Sequence, residues 1–232
     1  RPRPAPPAPS PFRMTDTGAN TGLEELPPVL PIFPLTGALL LTNGHLPLNI
    51  FEPRYLAMVQ DAMATHRLIG MVQPRDPESD LMTPEIYNVG CVGKICEYGE
   101  LPNGMLRITL EGMCRFEVMK ELDIATPYRQ VTANYQRFKH DLEPVHRNCV
   151  DREALHEALH HFLEFEDGAS DWQTLDHLED DSLVNSLSMI CPFSPVEKQA
   201  LLEAADIATR SHLLISLLQM MLQQVEAHRT VQ

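Results

Sequence analysis

The residue pattern with the clearest potential for chemistry is a pair of histidines in the stretch His156-Glu157-Ala158-Leu159-His160. This stretch is a literal HExxH motif within a segment of helical periodicity. Residues four positions apart share one face of a helix, so the two imidazoles could bind a zinc ion while Glu157 acts as general base for a bound water. A zinc metallopeptidase is therefore one functional hypothesis for this chain.

The zinc hypothesis needs a third protein ligand, and none stands at a familiar spacing. In the extended metzincin motif, Leu163 takes the place of the glycine and Glu166 takes that of the third histidine. The acidic residues available on the next helix are Glu179, Asp180 and Asp181. On a helical wheel the apolar side chains fill one arc, and His156 and His160 fall at its solvated edge. We therefore favour the interpretation that these histidines lie partly exposed at the border of the helix's apolar face. We expect no bound metal and no cofactor.

The cysteines give no metal-binding motif either. The five in the chain are Cys91, Cys96, Cys114, Cys149 and Cys191. Their odd number and the lack of a CxxC pair favour reduced thiols in a cytosolic protein over a disulfide framework. Cys91 and Cys96 lie five positions apart on a predicted strand, so we expect them to face opposite sides of the sheet and not to share a metal ion.

Two other groups of residues are candidates for ligand contacts. Arg54 stands beside Glu52 and Tyr55 at a predicted helix start, where an arginine more often has a structural role. Four methionines could form an adaptable peptide-binding surface, although methionine more often fills gaps in a core. These methionines are Met71, Met82, Met105 and Met113.

Motifs for nucleotide hydrolysis and for serine-peptidase chemistry are missing from the sequence. Gly93-Lys94 is followed by Ile95 and has no glycine five residues ahead of it, so it is not a GxxxxGK[ST] phosphate loop. No serine lies in a GxSxG nucleophile elbow. The sequence therefore predicts a protein that is not an enzyme of either class.

Composition narrows the range of partners. With 44% hydrophobic and 22% charged residues, the sequence is that of an ordinary globular protein. Its formal charge of −14 disfavours nucleic acid and anionic membrane surfaces, because both need clustered lysine and arginine. The longest apolar stretch, Leu213 to Leu222, is too short to span a bilayer, and no segment has the features of a signal peptide. We expect a cytoplasmic protein.

The elements that must position these residues change type near Val145. Before it, short apolar runs and alternating patterns predict strands from Val29 to about Phe138, with Asn103-Gly104 as a hairpin turn and Gly112 as a bulge or bend. One helix is predicted within this region, opening at Pro53. The predicted strand segments are Val29–Leu35, Leu68–Gln73, Asn88–Cys96, Leu106–Glu111, Arg115–Val118 and Tyr128–Phe138, and Gly112 interrupts the chain between the fourth and the fifth.

Beyond Val145 the apolar period is that of helices. Arg147 to Glu166 and part of Asp171 to Ile190 read as helical segments. Ser194-Pro-Val-Glu197 has the form of a capping box with proline in the first turn, so a helix is predicted to begin there. A final helix carries Leu214, Leu217, Met221 and Val225. Four or five helices with short links predict a small bundle.

Three stretches of the chain carry a resemblance to a known family. Pro31 to Leu56 reads PIFPLTGALLLTNGHLPLNIFEPRYL, Gly112 to Phe116 reads GMCRF, and Ser186 to Leu218 reads SLSMICPFSPVEKQALLEAADIATRSHLLISLL. The first closely resembles the start of the Lon-protease N-terminal (LON substrate-binding) domain, and the other two resemble later parts of it. The resemblance covers about Leu26 to Val225.

The resemblance implies an α+β fold. It implies a PUA-like β-barrel (pseudo-barrel) with one inserted helix, followed by a C-terminal helical bundle. The expected divisions are a disordered or extraneous Pro-rich tail at residues 1–25, the barrel at residues 26–140 and the bundle at residues 145–229.

The resemblance also implies a stand-alone bacterial member that lacks the ATPase and peptidase modules. Such a protein would bind unfolded or peptide segments, including degrons, without catalysis. A protease or chaperone is a further expected partner, and protein quality control is the expected process. A zinc metallopeptidase built on His156 and His160, and an RNA-binding PUA-like module, stay as alternatives. The sequence names neither the ligand-binding residues nor the oligomeric state.

Overall fold

A computed structural model describes residues 22–79, 81–143, 150–165 and 178–230. These residues form a mixed α+β fold built around a six-stranded sheet. The strands are β1 (Val29–Pro34), β2 (His45–Ile50), β3 (Leu68–Val72), β4 (Val89–Glu100), β5 (Leu106–Glu121) and β6 (Gln130–Asn134). The α-helices are α1 (Pro53–Ala64), α2 (Arg152–Phe165), α3 (Asp180–Ile190), α4 (Pro195–Glu203) and α5 (Ile207–Thr230). Short 3₁₀ helices span Leu23–Glu25 and Gln136–Leu142.

The sheet has the order β2-β5-β4-β3-β1-β6, and β6 pairs in addition with β5. The β1–β3 pair is parallel, and the other pairs are antiparallel. Among the described residues β2 pairs with β5 alone, so β2 is an edge strand. The PUA-like barrel is a finer assignment than these pairings and stays a prediction.

The β4–β5 hairpin confirms two predictions from the sequence. Gly104 has a left-handed φ of 77°, and it lies in the turn that is closed by a hydrogen bond of 2.8 Å from Leu101 N to Met105 O. Further along, the ladder shifts register between Gly112 and Cys114, so Met113 is the additional residue of a bulge. The strand continues through this bulge instead of breaking at it.

Helix α1 begins at Pro53, as predicted, because a proline has no N–H to lose at the first helical position. Its buried face carries Tyr55, Met58, Val59 and Ala62 at helical spacing. The ring of Tyr55 lies 4.2 Å from that of Phe33 on β1, centroid to centroid. This contact packs the inserted helix against the sheet.

Two strand predictions need correction. The strand expected from Tyr128 to Phe138 covers only β6, because the backbone at Tyr135 turns to helical dihedral angles and a 3₁₀ helix follows. Strand β2 was not among the predicted strand segments; it contains Pro47 in the middle of an apolar run. Proline is tolerated there because β2 lies at the edge of the sheet.

The C-terminal part of the chain is helical, as its periodicity predicts. Helix α2 packs against α5, and α5 also contacts α3 and α4. Residues 144–149 and 166–177, which include parts of two predicted helical segments and Cys149, lie outside the described residues. The same is true of residues 1–21 of the predicted tail. Within the described residues, every helix is too short or too polar to span a membrane.

The predicted capping box of α4 is present and gives a first testable prediction. The backbone N–H of Glu197 donates to Ser194 Oγ at 3.4 Å, and the Ser194 N–H donates to Glu197 Oε2 at 2.7 Å. We expect Ser194→Ala to lower the free energy of unfolding by about 1 kcal/mol in urea denaturation. Ser216→Ala, in mid-helix on α5, is the control, and an equal loss in both variants would contradict a capping role.

Candidate functional site

Two surface clefts flank the segment that connects β1 to β2. The first, which we call the β2 groove, has a volume of about 400 Å³ and runs between this segment and helix α3. Its lining residues are Gly37, Ala38, Leu39, Asn43, Gly44, His45, Leu46, Pro47, Ser186, Met189, Ile190 and Lys198. The groove therefore lies along the start of the edge strand β2.

The walls of the β2 groove are partly apolar. Leu46 on the strand and Met189 on α3 are half-buried, and Ile190 is 76% exposed, more than any other large hydrophobic residue among those described. Lys198 closes one end, where its Nζ donates to the Gly37 carbonyl at 2.9 Å and burial lowers its pKa. A single exposed aliphatic side chain is common on protein surfaces, but Ile190 shares a groove with β2, one edge of which pairs with no strand in the described part of the chain.

Backbone contacts with β5 hold this connecting segment in place. Asn43 N donates to Gly112 O, and Gly112 N donates to Gly44 O, both at 2.8 Å. Asn43 has a φ of 60°, a left-handed conformation that asparagine tolerates better than most residues. A Cβ at Gly44 would lie 2.3 Å from Met189 Sδ and 3.0 Å from the Leu41 carbonyl oxygen, so a larger residue here would displace the Met189 side chain.

The second cleft, which we call the junction cleft, has a volume of about 470 Å³ and lies between the sheet and the C-terminal helices. Its lining residues are Thr42, Asn43, Arg115, His140, Asp141, Glu143, Asp181, Asn185, Ala205, Asp206, Ile207, Ala208 and Arg210. They come from five places in the chain, so the cleft exists only in the folded protein.

Arg115 joins the sheet to the helices beneath the junction cleft. Its guanidinium makes a two-point ion pair with Asp141, with Nε–Oδ2 at 2.9 Å and Nη2–Oδ1 at 2.8 Å, and it stacks over the Phe138 ring. Its Nη1 also donates to the carbonyls of Leu202 and Ala204, at the end of α4. With 4% and 9% of their side chains exposed, Arg115 and Asp141 form a buried pair.

A second buried arginine, Arg210, lies behind the same cleft. Its Nε donates to Leu201 O at 2.9 Å, and its Nη1 donates to Asn185 Oδ1 at 2.8 Å. Asn185 in turn donates to Thr42 O and Oγ1, each at 3.1 Å. Burial lowers the pKa of Arg210 to about 10, and Arg115 adds to this effect. Its Nη2 has no hydrogen-bond partner among the described residues.

Acidic side chains dominate the remaining charge of the junction cleft. Once Arg115 is paired with Asp141, the lining carboxylates are those of Glu143, Asp181 and Asp206. The pKa of Asp206 is lowered because the N–H groups at the start of α5, first that of Thr209, donate to it. The cleft thus combines an acidic lining with two buried guanidiniums, those of Arg115 and Arg210.

Comparison with known proteins identifies the family. A family model described as the ATP-dependent protease La (LON) substrate-binding domain matches residues 29–220. The chain belongs to this family. Lon protease 2 of Myxococcus xanthus is 26% identical over 200 residues, which are 84% of this chain and 24% of that protein. The chain therefore spans about a quarter of the length of this relative.

Two solved structures share the fold of this LON substrate-binding domain. The Lon N-terminal domain protein from Xanthomonas campestris has a TM-score of 0.59 at 23% identity, covering 81% of this chain and 97% of that one. The N-terminal domain of the Mycobacterium avium complex Lon protease has a TM-score of 0.59 at 16% identity, covering 82% and 98%. The resemblance inferred from Pro31–Leu56 and the later stretches is thereby confirmed.

The HExxH motif lies on α2 of this LON domain. His156, Glu157 and His160 are exposed, whereas Ala158 and Leu159 between them are buried. The helical-wheel prediction of a solvated edge is therefore confirmed. Asp180, one of the three possible third ligands, accepts a hydrogen bond from Arg152 Nε at 2.6 Å. Among the described residues, the motif does not belong to any group of three side chains close enough to share a metal ion.

Arg54 makes local contacts, and the four candidate methionines are spread over different environments. Arg54 pairs with Glu52 at 2.8 Å, donates to Met82 O at 2.9 Å and lies over the Tyr55 ring. The four methionines do not form one surface, because Met71 is buried in the core while Met82 is 71% exposed. Neither group builds the clefts beside the β1–β2 connection.

Sequence reasoning missed the residues that build both clefts. In the sequence, Arg115 was noted only as part of the family stretch GMCRF, and its partner Asp141 lies 26 residues away. Arg210 and Asn185 stand on different helices and have no distinctive local pattern. Ser186-Leu-Ser-Met-Ile190 carried the family resemblance, yet its contact with the connecting segment depends on how α3 packs. The position of β2 at the edge of the described sheet follows only from the strand order.

Proposed function

We propose that this LON domain binds extended polypeptide segments along the β2 groove and has no catalytic activity of its own. The observation that carries this proposal is the edge of β2 that pairs with no other described strand and lies beside a partly apolar groove. A segment that adds to this edge would form backbone hydrogen bonds with β2, as in other cases of strand addition. The family's description as a substrate-binding domain supports this function.

The binding energy in this proposal comes from two sources. Backbone hydrogen bonds to β2 are independent of sequence, so unfolded segments of many proteins can use them. Side chains on alternate positions of the bound segment would reach the groove, where they bury Ile190 and Met189. Apolar burial at about 25 cal/mol per Å² then favours segments with aliphatic or aromatic residues.

Charge adds a preference among such segments. The chain has a formal charge of −14, and the junction cleft beyond Asn43 is lined by carboxylates. Complementary charge increases association rates and selects against like-charged partners. We therefore propose that hydrophobic segments flanked by lysine or arginine are preferred over acidic ones. A protease or chaperone would receive such segments in protein quality control.

A point substitution in the groove tests the site. The probe is a fluorescein-labelled, reduced and carboxymethylated protein that cannot fold, and binding is followed by fluorescence anisotropy. We expect Ile190→Glu to weaken binding about 10-fold or more, because an aliphatic contact is lost and a charge enters the groove. Val196→Glu is the matched control, since Val196 is 61% exposed on the next helix but lies outside the groove lining.

A second arm tests the strand edge separately. A short basic-hydrophobic peptide is compared with the same peptide N-methylated at alternate residues, in both possible registers. Loss of binding on methylation in one register is the result expected for strand addition. Equal binding of all three peptides, or an Ile190→Glu variant that binds as tightly as Val196→Glu, would remove the β2 groove as the binding site.

A further inference from the structure

Three potential metal ligands meet on the surface of the sheet, away from the HExxH motif. They are His45 on β2, Cys96 on β4 and Glu111 on β5, and their ligand atoms all lie within 4.8 Å of one another. This is the only such group of three among the described residues. None of the three contributes to the HExxH motif, and they are remote from one another in the sequence.

The register of the sheet explains why these side chains meet. His45 stands directly opposite Glu111 in the β2–β5 ladder, so the two side chains lie on the same face. On the other side of β5, the β4–β5 ladder shifts register between Ile95 and Glu97, which makes Cys96 the additional residue of a bulge. Bulges commonly redirect a side chain, and this one places the Cys96 thiol beside the other two groups.

The donor set has the chemistry that zinc prefers. Imidazole, thiolate and carboxylate are the three side-chain ligands found in protein zinc sites, with bonds of about 2.0–2.3 Å. A tetrahedral ion with such bonds needs ligand atoms about 3.3–3.7 Å apart. The ligand atoms lie within 4.8 Å of one another, so zinc binding requires the side chains to rotate and bring these atoms closer together. Rotation is available because His45 and Cys96 are exposed and Glu111 is half-buried.

Neighbouring groups interact with the three ligand side chains and would compete with a metal ion or favour it. Cys96 Sγ donates to the Thr109 carbonyl at 3.3 Å, a bond that is lost when the thiol gives up its proton to bind metal. Lys94 stands opposite Glu111 in the ladder, so its ammonium competes for the same carboxylate. Glu97, whose carboxylate accepts from Thr109 Oγ1 at 2.7 Å, adds negative charge nearby that favours a cation.

We propose that His45, Cys96 and Glu111 form a zinc site with three protein ligands and a fourth position open to solvent. All three ligands project from adjacent strands of one sheet, so the backbone that holds them is rigid. Water would occupy the open position. Because His45 also lines the β2 groove, the ion would lie at one end of that groove. The proposal stands on the ligand geometry and does not depend on polypeptide binding.

Zinc titration with a competing chromophoric chelator tests the site. We expect one zinc ion per chain in the intact protein, and at least a 10-fold lower affinity in each of His45→Asn, Cys96→Ser and Glu111→Gln. The control is the double variant His156→Asn with His160→Asn, which removes the HExxH pair and is expected to bind zinc as the intact protein does. Circular dichroism of every variant shows that loss of binding is not loss of folding.

Cobalt substitution gives an independent readout of the thiolate ligand. A thiolate-to-cobalt charge-transfer band is expected in the intact protein and in Cys149→Ser, and its loss is expected in Cys96→Ser. Zinc affinity that is unchanged in the three ligand variants would overturn the proposal, as would loss of zinc in the HExxH double variant. A protein that takes up no zinc at all would overturn it equally.

Discussion

Replacement of Arg115 by methionine is expected to lower the free energy of unfolding by about 3–5 kcal/mol, measured by urea denaturation. The substitution leaves the Asp141 carboxylate buried without its partner and also removes the donor to the carbonyls of Leu202 and Ala204. Burial determines the size of this loss, because removing one member of a buried ion pair leaves the other charge uncompensated in a region of low dielectric constant.

Two comparisons make the Arg115 prediction specific. Arg137→Met is the control, since Arg137 also pairs with a carboxylate and stacks on Phe138 but is 50% exposed. It is expected to cost less than about 1 kcal/mol. Adding Asp141→Leu to Arg115→Met should recover part of the loss, because the stranded charge is removed. Losses of equal size in Arg115→Met and Arg137→Met would contradict the importance of burial.

Replacement of Gly112 by alanine is the other substitution with a large expected effect. A Cβ at this position would lie 2.0 Å from the Leu41 carbonyl oxygen and 2.7 Å from its carbon. The neighbour is backbone and not the flexible end of a side chain, so relief requires the connecting segment to move away from β5. We expect a loss of about 2–3 kcal/mol in urea denaturation, which is in the upper range for overpacking.

Gly99→Ala is the matched control for this position. Gly99 lies on the neighbouring strand β4, and a Cβ there would meet nothing closer than the Arg107 carbonyl oxygen at 4.0 Å. Stability should stay the same or rise by up to about 1 kcal/mol, because alanine reduces the entropy of the unfolded chain. If Gly112→Ala proved as stable as Gly99→Ala, the close approach of Leu41 to β5 would be wrong.

Gly112→Ala and Arg115→Met affect different walls of the two clefts. Gly112 allows the β1–β2 connection to lie against β5, and this connection forms one wall of both clefts. Arg115, three residues further along β5, fixes the end of α4 beneath the junction cleft. Strand β5 therefore contacts both the connecting segment and the C-terminal helices and fixes their positions relative to each other. Polypeptide binding by these variants is expected to fall in parallel with their stability.

Features that depend on local chemistry could be predicted from the sequence. Pro53 marked the start of α1, Asn103-Gly104 the β4–β5 turn, and Ser194 with Glu197 the cap of α4. In each case the backbone conformation is set by residues within one turn of one another. The family resemblance was predictable for the same reason, since it rested on contiguous stretches of sequence.

The candidate sites depended on tertiary structure, because their residues lie far apart in the chain. His45, Cys96 and Glu111 meet only through the register of three strands, one of which contains a proline and was not expected. The exposure of the HExxH histidines was likewise a question of surroundings, since the packing of α2 leaves them on its solvated side. Periodicity determines which face of an element is apolar. Burial, ladder register and the approach of remote elements determine what that face meets, and these were decided only by the folded chain.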